Sequence, residues 1–384
     1  MIHFFFQLIY IFFFTDVNAE LKSNFKTYSK TKQNLKIVEL AEGQFDFPWG
    51  ITFVNSNTLL ITEKNGGLVK FNVKSQKKTE IQHNIPVLKK NNGQGGLLDV
   101  LAHSDGYVYF TYSHDSSRTN SLEFSKKYST AVGRGKLIDN EIKDFQVLLK
   151  GSPELNTTKH WGARIVIKDD FLFVGFGERD KGSIAQDPGK HPGSIIRIKT
   201  DGSIPKDNPK TLGYEDWLPE IYQIGLRNPQ GMAISPKDGN IYFSQHGPMG
   251  GDNIGIVKFA GNLGWKDIAW GGREYSGRKI GESHFKDTYD KPIISWVPSI
   301  GVGSINFYKG KKFSDWNGDL LISATKTKML ARLEIEKNQV INKEILIKDH
   351  PRIGRIRDFE INYLGDVYLI SDKKNSSLWK ITND

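Results

Sequence analysis

One short unit recurs along this chain: a tight turn of Asn, Asp or Gly, then at once a run of apolar, β-prone residues. The copies are Asn57-Thr58-Leu59-Leu60-Ile61-Thr62, Asp105-Gly106-Tyr107-Val108-Tyr109-Phe110 and Asp170-Phe171-Leu172-Phe173-Val174. Asp238-Gly239-Asn240-Ile241-Tyr242-Phe243, Gly318-Asp319-Leu320-Leu321-Ile322-Ser323 and Leu364-Gly365-Asp366-Val367-Tyr368-Leu369-Ile370 complete the set. They lie roughly 45–80 residues apart, a step that suits propeller blades with insertions. Turn-initiated strands of this composition predict an all-β chain. Past residue 35 no long 3.6-residue apolar period competes with them. A small four-stranded sheet cannot bury both faces alone, so such units stack around an axis. Six copies predict a six-bladed β-propeller, and a seven-bladed ring with one degenerate blade is the alternative. Closure requires the two chain ends to share a blade. Leu35-Lys36-Ile37-Val38-Glu39-Leu40 beside Leu378-Trp379-Lys380-Ile381 is the expected pair.

The chain has no cysteine, which excludes disulfides, a thiol nucleophile and thiolate-held metals. A hydrophobic content of 38% supplies a core and argues against disorder. The net charge of +10 is scattered through turns such as Lys74-Ser75-Gln76-Lys77-Lys78 and Lys309-Gly310-Lys311-Lys312. Without a basic helix or arginine-rich run it reads as solvated surface, with no nucleic-acid partner. Ile2 to Phe14 is almost wholly apolar, and small residues surround Ala19. Residues 1–19 therefore read as a secretory signal, and 20–384 as one propeller domain. The apolar run has no lysine or arginine before it, and an uncleaved anchor is the alternative. No other stretch is long and apolar enough for a bilayer. The expectation is an exported protein, periplasmic or secreted, without stable membrane insertion.

In a propeller, loops at one rim converge on the axis, so polar residues in glycine or proline contexts at strand boundaries are the candidates. These are Gly93-Gln94-Gly95-Gly96, Lys159-His160-Trp161-Gly162, Leu226-Arg227-Asn228-Pro229-Gln230-Gly231, Ser244-Gln245-His246-Gly247-Pro248, Lys326 and Gly354-Arg355-Ile356-Arg357-Asp358. Arg355 and Arg357 alternate about Ile356, so on a strand both face the same way. Arginine suits planar, bidentate recognition of carboxylates.

Taken in order, these segments resemble the soluble quinoprotein sugar dehydrogenases of the glucose/sorbosone dehydrogenase family, nearest its aldose sugar dehydrogenase branch. The resemblance runs from Phe47-Pro48-Trp49-Gly50 to Trp379. It implies a six-bladed propeller that binds pyrroloquinoline quinone (PQQ) and Ca²⁺ at the axis. PQQ is a planar tricarboxylate with an ortho-quinone, so Arg227, Lys326, Arg355 and Arg357 are its expected cations. By the same resemblance the carbonyls of Gly247 and Pro248 hold calcium. Gln94 and Asn228 contact cofactor or sugar, and Gln245 and Trp296 are further contacts, with core packing as the alternative for Trp296. His160 matches the base that takes the proton of the sugar's C1 hydroxyl. A hydride then passes to the quinone, Arg227 stabilises the developing negative oxygen, and an external electron acceptor restores the cofactor. The implied substrate is an aldose, the product a lactone, and the protein a monomer or weak dimer.

Three positions depart from the glucose-specific branch. Lys159 stands where that branch has an aspartate beside the histidine, so the partner that orients His160 is not identified. Asn253 and Leu263 stand where it has ligands of a second calcium, which leaves Asp252 as the local carboxylate. His246 has no assigned role. Two other classes compete: a calcium-dependent propeller hydrolase of the lactonase kind and a non-catalytic binding propeller. The first needs carboxylates around an axial calcium, whereas these segments offer cations. Substrate choice rests on rim loops such as Trp265 to Ser276 and Lys279 to Tyr289, which carry no readable code.

Overall fold

The computed structural model describes residues 28–31, 33–88, 93–115 and 127–383. The expected signal segment, 1–19, lies outside them. Six sheets follow one another along the chain, each built on four antiparallel strands, and two carry a fifth, parallel edge strand. The innermost strands are Pro48–Asn55, Leu97–Ala102, Gly162–Lys168, Pro229–Ile234, Val302–Phe307 and Ile356–Ile361. Each touches the innermost strand of the next sheet, and the last touches the first. The result is a closed six-bladed propeller, and the seven-bladed alternative falls.

All six sequence repeats are second strands of their blades: Thr58–Glu63, Val108–Asp115, Phe171–Phe176, Ile241–Gln245, Leu320–Ala324 and Val367–Ser371. The second strand is covered on both faces by neighbouring blades, so it needs apolar residues at nearly every position. Leu59, Leu60 and Ile61 are fully buried in the first blade, and Leu320, Leu321 and Ile322 in the fifth. The turns before these strands are built by side chains that cap their own backbone. Asp105 accepts from Tyr107 N–H at 2.9 Å, and Asp238 from Asn240 N–H at 3.0 Å. Outer strands such as Lys77–Glu80 face water and carry no such signature.

Apolar side chains pack into one cluster at each of the six junctions between blades. At the sixth junction Ala41, Phe45, Tyr368 and Ile370 meet Ile51, Leu59 and Phe71. Closure is as the sequence predicts: Lys36–Phe45 pairs antiparallel with Ser376–Thr382, with Ile37 opposite Ile381 and Glu39 opposite Trp379. No helix among the described residues is long and apolar enough to cross a membrane.

The axis itself is bridged by ions. Arg164, on the third blade, reaches Asp99 of the second at 2.9 Å and Asp358 of the opposite sixth blade at 2.7 Å. All three are buried. Removing either partner of such a pair leaves an uncompensated buried charge, which costs about 3–5 kcal/mol. Desolvation pushes the Asp99 carboxyl up to about 7, against the pull of Arg164. Glu360, beside this group, is pushed up to about 8 by burial, with Asp358 and Asp99 adding to it.

Candidate active site

Above this ionic plug lies a hollow of about 640 Å³, counting its open mouth. It sits at the rim where innermost strands begin and second strands end. Trp49, Gln94, Trp161, Asn228, Arg355 and Arg357 enter it around the starts of innermost strands, and Lys64, His246 and Asp372 follow directly after second strands. Five blades contribute to the lining. The fifth does not.

His160 is set by the third blade. Its backbone φ is +50°, and its N–H donates to Gln94 Oε1 at 2.8 Å. The turn is close-packed: a Cβ on Gly177 would stand 2.1 Å from the His160 carbonyl oxygen, so only glycine fits there. His160 Nδ1 lies 2.7 Å from Glu178 Oε1. The other Glu178 oxygen accepts from Lys181 N–H at 2.6 Å and Gly182 N–H at 3.1 Å. A carboxylate so held accepts a hydrogen bond from the Nδ1–H of the imidazole and leaves the Nε2 lone pair free to act as a base. Glu178 is thus the orienting partner that the sequence left unidentified. Lys159, in the departing position, pairs with Asp180 at 3.0 Å.

Arg179 clamps the same turn, donating to the carbonyls of Lys159, Tyr128 and Thr157. Its guanidinium lies 3.3 Å from the centre of the Trp161 ring, which in turn lines the hollow.

The alternation of Arg355 and Arg357 holds: both enter the hollow, while Ile356 turns into the core. Asp372 Oδ2 accepts from Arg355 Nη2 at 2.9 Å and from Arg357 Nη2 at 2.7 Å. Burial alone would raise this carboxyl, but the two arginines outweigh it and hold it well below the usual carboxylate range. Lys326 is a correction. It is exposed in the turn after Leu320–Ala324 and does not line the hollow. The lysine that does is Lys64, on the first blade.

Arg227 lies beside the hollow rather than in its lining. Its Nη1 donates to the carbonyls of His246 at 3.1 Å and Gly247 at 3.0 Å, and its guanidinium sits 5.3 Å from the Trp265 ring centre. Asn228 lines the hollow and accepts from Gly162 N–H at 3.0 Å. Gln245 is a second correction, because both ends of its amide are spent inside the protein. Oε1 accepts from Arg227 N–H at 2.8 Å, and Nε2 donates to Asn253 at 3.2 Å. Trp296 is a third: it is fully buried in the core and donates to the Tyr28 hydroxyl at 3.0 Å.

Asp252 shapes the Gly247–Pro248 turn. One oxygen accepts from Gly247 N–H at 2.8 Å, and the other from Gly301 at 2.6 Å and Val302 at 2.8 Å. Asn253 is committed to Gln245 and to the Gly251 carbonyl, and Leu263 is in the core. Among the described residues no group of three or more His, Asp or Glu is arranged to hold a metal. His246 lines the hollow, and desolvation pushes its imidazole down to about 4, with Asp252 opposing and Arg357 and Arg227 adding. Its Nε2 is buried without a hydrogen-bond partner.

The pattern of the glucose/sorbosone dehydrogenase family matches residues 45–380. The aldose sugar dehydrogenase YliI of Escherichia coli (strain K12) is 32% identical over 357 residues, covering 90% of this chain and 92% of the relative. The crystal structure of the soluble aldose sugar dehydrogenase from Escherichia coli, in its apo-form, superposes with a TM-score of 0.81 at 30% identity, covering 91% of this chain and 100% of that one. The PQQ-bound aldose sugar dehydrogenase of Streptomyces coelicolor shares the fold, with a TM-score of 0.73 at 18% identity over 92% of this chain and 99% of that one. The chain belongs to the glucose/sorbosone dehydrogenase family and is a sugar dehydrogenase, an oxidoreductase acting on sugar CH–OH groups.

Proposed function

We propose that this protein oxidises aldoses at C1 to lactones, with PQQ as the bound redox group. The observation that carries the reading is the His160–Glu178 pair held beside a hollow lined with cations and tryptophans. The hollow fits such a group on its own terms. Trp49 and Trp161 bring aromatic rings to the lining, and Lys64, Arg355 and Arg357 outnumber the single carboxylate Asp372. Arg357 Nε is buried without a partner, as a donor awaiting an acceptor would be. The PQQ-bound state of the structural relative points the same way.

Bound there, PQQ would supply a two-electron acceptor for the hydride of the sugar C1–H bond. The chain's own part is binding, orientation and proton handling. His160 Nε2 takes the C1 hydroxyl proton, and Glu178 stabilises the imidazolium that results. Arg227 keeps guanidinium N–H groups beyond its two carbonyl bonds and can meet developing negative charge at the rim. Gln94 and Asn228 fix the turn that carries His160 while facing the ligand. An external electron acceptor must then take up the two electrons.

Calcium would fall to the carbonyls of Gly247 and Pro248, which suit a hard cation. The protein's donor set is thin, because Gly247 O already accepts from Arg227. The ion would therefore need oxygens from the ligand as well, and Arg227 would have to release that carbonyl.

The test is reconstitution of the purified protein with PQQ and Ca²⁺, followed by dye reduction with several aldoses. The expected result is cofactor bound and reduced only when sugar is added. His160→Ala should keep the cofactor and lose turnover. Failure to bind PQQ, together with no sugar-dependent reduction, would reject the reading.

A further inference from the structure

We propose that Lys64 is a ligand-binding residue. With Arg355 and Arg357 it forms a three-cation clamp, astride the seam where the ring closes, for one acidic group of a flat polycarboxylate. The identity of that ligand as PQQ rests on the function proposed above; the clamp rests on the geometry.

Lys64 follows the second strand of the first blade, and the two arginines open the innermost strand of the sixth. These blades are neighbours across the closure formed by the two ends of the chain. The direction of Lys64 is fixed by its backbone. Its N–H donates to the Phe47 carbonyl at 3.1 Å, and the turn at Gly96 packs so tightly that a Cβ there would stand 1.9 Å from the Lys64 carbonyl oxygen. The side chain then passes Phe47, with Nζ 5.6 Å from the ring centre, and lines the hollow.

Three cations share one carboxylate, Asp372, whose Oδ2 is already taken by both arginines. Desolvation lowers the Lys64 ammonium, Asp372 pulls it back, and Arg357 and Arg355 push it further down. The cluster is two positive charges in excess, and Arg357 Nε has no partner. An anion entering between the seam residues would relieve both conditions, and its flat body would meet Trp49 and Trp161.

The test is a PQQ titration of the apo-protein at fixed Ca²⁺ and two salt concentrations, read by tryptophan quenching. Lys64→Met and Lys64→Gln should weaken binding about tenfold or more and flatten its salt dependence, while Lys64→Arg stays near wild type. Circular dichroism confirms which variants fold. Equal affinity and salt slope in a folded Lys64→Met or Lys64→Gln overturns the clamp and leaves the function standing. A wild type that binds no PQQ rejects the proposed function. In that event benzene-1,3,5-tricarboxylate decides the clamp: it should raise the melting temperature of the wild type and not of Lys64→Met, and no difference between them overturns it.

Discussion

His160 Nδ1 and Glu178 Oε1 meet at 2.7 Å across the open end of a single hairpin. His160 lies two residues before the innermost strand of the third blade, and Glu178 two residues after the second. The antiparallel register that pairs Gly162 with Phe176 brings them together. The pair is therefore local to one blade, although the hollow it serves draws on five.

Glu178→Gln keeps the size of the side chain and removes the charge that stabilises the imidazolium. We expect kcat to fall about 10²–10⁴-fold with the cofactor still bound, as when a histidine base loses its carboxylate. Steady-state dye reduction beside a PQQ titration separates the two effects. Unchanged kcat would remove Glu178 from the mechanism.

Gly177→Ala tests the packing of the same turn. The added Cβ forces the His160 backbone to move, because a carbonyl 2.1 Å away cannot be accommodated. Turnover should fall at least about tenfold through displacement of the base. Wild-type kinetics in a folded variant would contradict the close approach.

Asp372→Asn should destabilise the protein by about 1 kcal/mol at pH 7, since the charge-assisted hydrogen bonds from exposed Arg355 and half-buried Arg357 lose their acceptor charge. Its folded carboxyl titrates below the unfolded value of about 3.9. The contribution is present above that unfolded value and is lost as pH falls toward the folded one. Urea unfolding of the two proteins should therefore show a constant gap from pH 5 to 8 that narrows below about pH 4. A gap that widens in acid would reverse the assignment.

Glu360→Gln should behave in the opposite sense. Its folded carboxyl lies at about 8, above the unfolded value of about 4.3. The wild type binds this proton more tightly when folded, so that stability is whole below about pH 4.3 and drains away as pH rises through about 8. The glutamine variant should gain melting temperature relative to wild type across that window. Parallel melting curves from pH 5 to 9 would refute the buried, protonated carboxyl.

The candidate site was legible where a motif carried it. His160, Gln94, Asn228, Arg355 and Arg357 stand in glycine- or proline-marked segments, and the structure groups them at one rim. Lys64, Glu178 and Asp372 were missed, although Lys64 precedes Asn65-Gly66-Gly67 and Glu178 follows Gly177; only Asp372 lacks a neighbouring glycine or proline. They share a positional signal all the same: each lies one or two residues past a repeated strand, at the rim where His246 also emerges. Lys326 occupies the same place in the fifth blade yet does not line the hollow. Position alone therefore brings a side chain to the rim without bringing it into the hollow.

The blade count, the closing pair of strands and the rim that bears the chemistry were determined by the sequence itself. A second strand buried on both faces must be apolar throughout, and its turn must be polar, whatever surrounds it. Which cations face one another was decided only by the closed ring. Arg164 reaches Asp358 across the axis, and Lys64 shares the hollow with Arg357 across the seam, joining residues about 200 or more positions apart. These pairings exist because curvature and closure bring opposite ends of the chain within reach, and no local pattern encodes that distance.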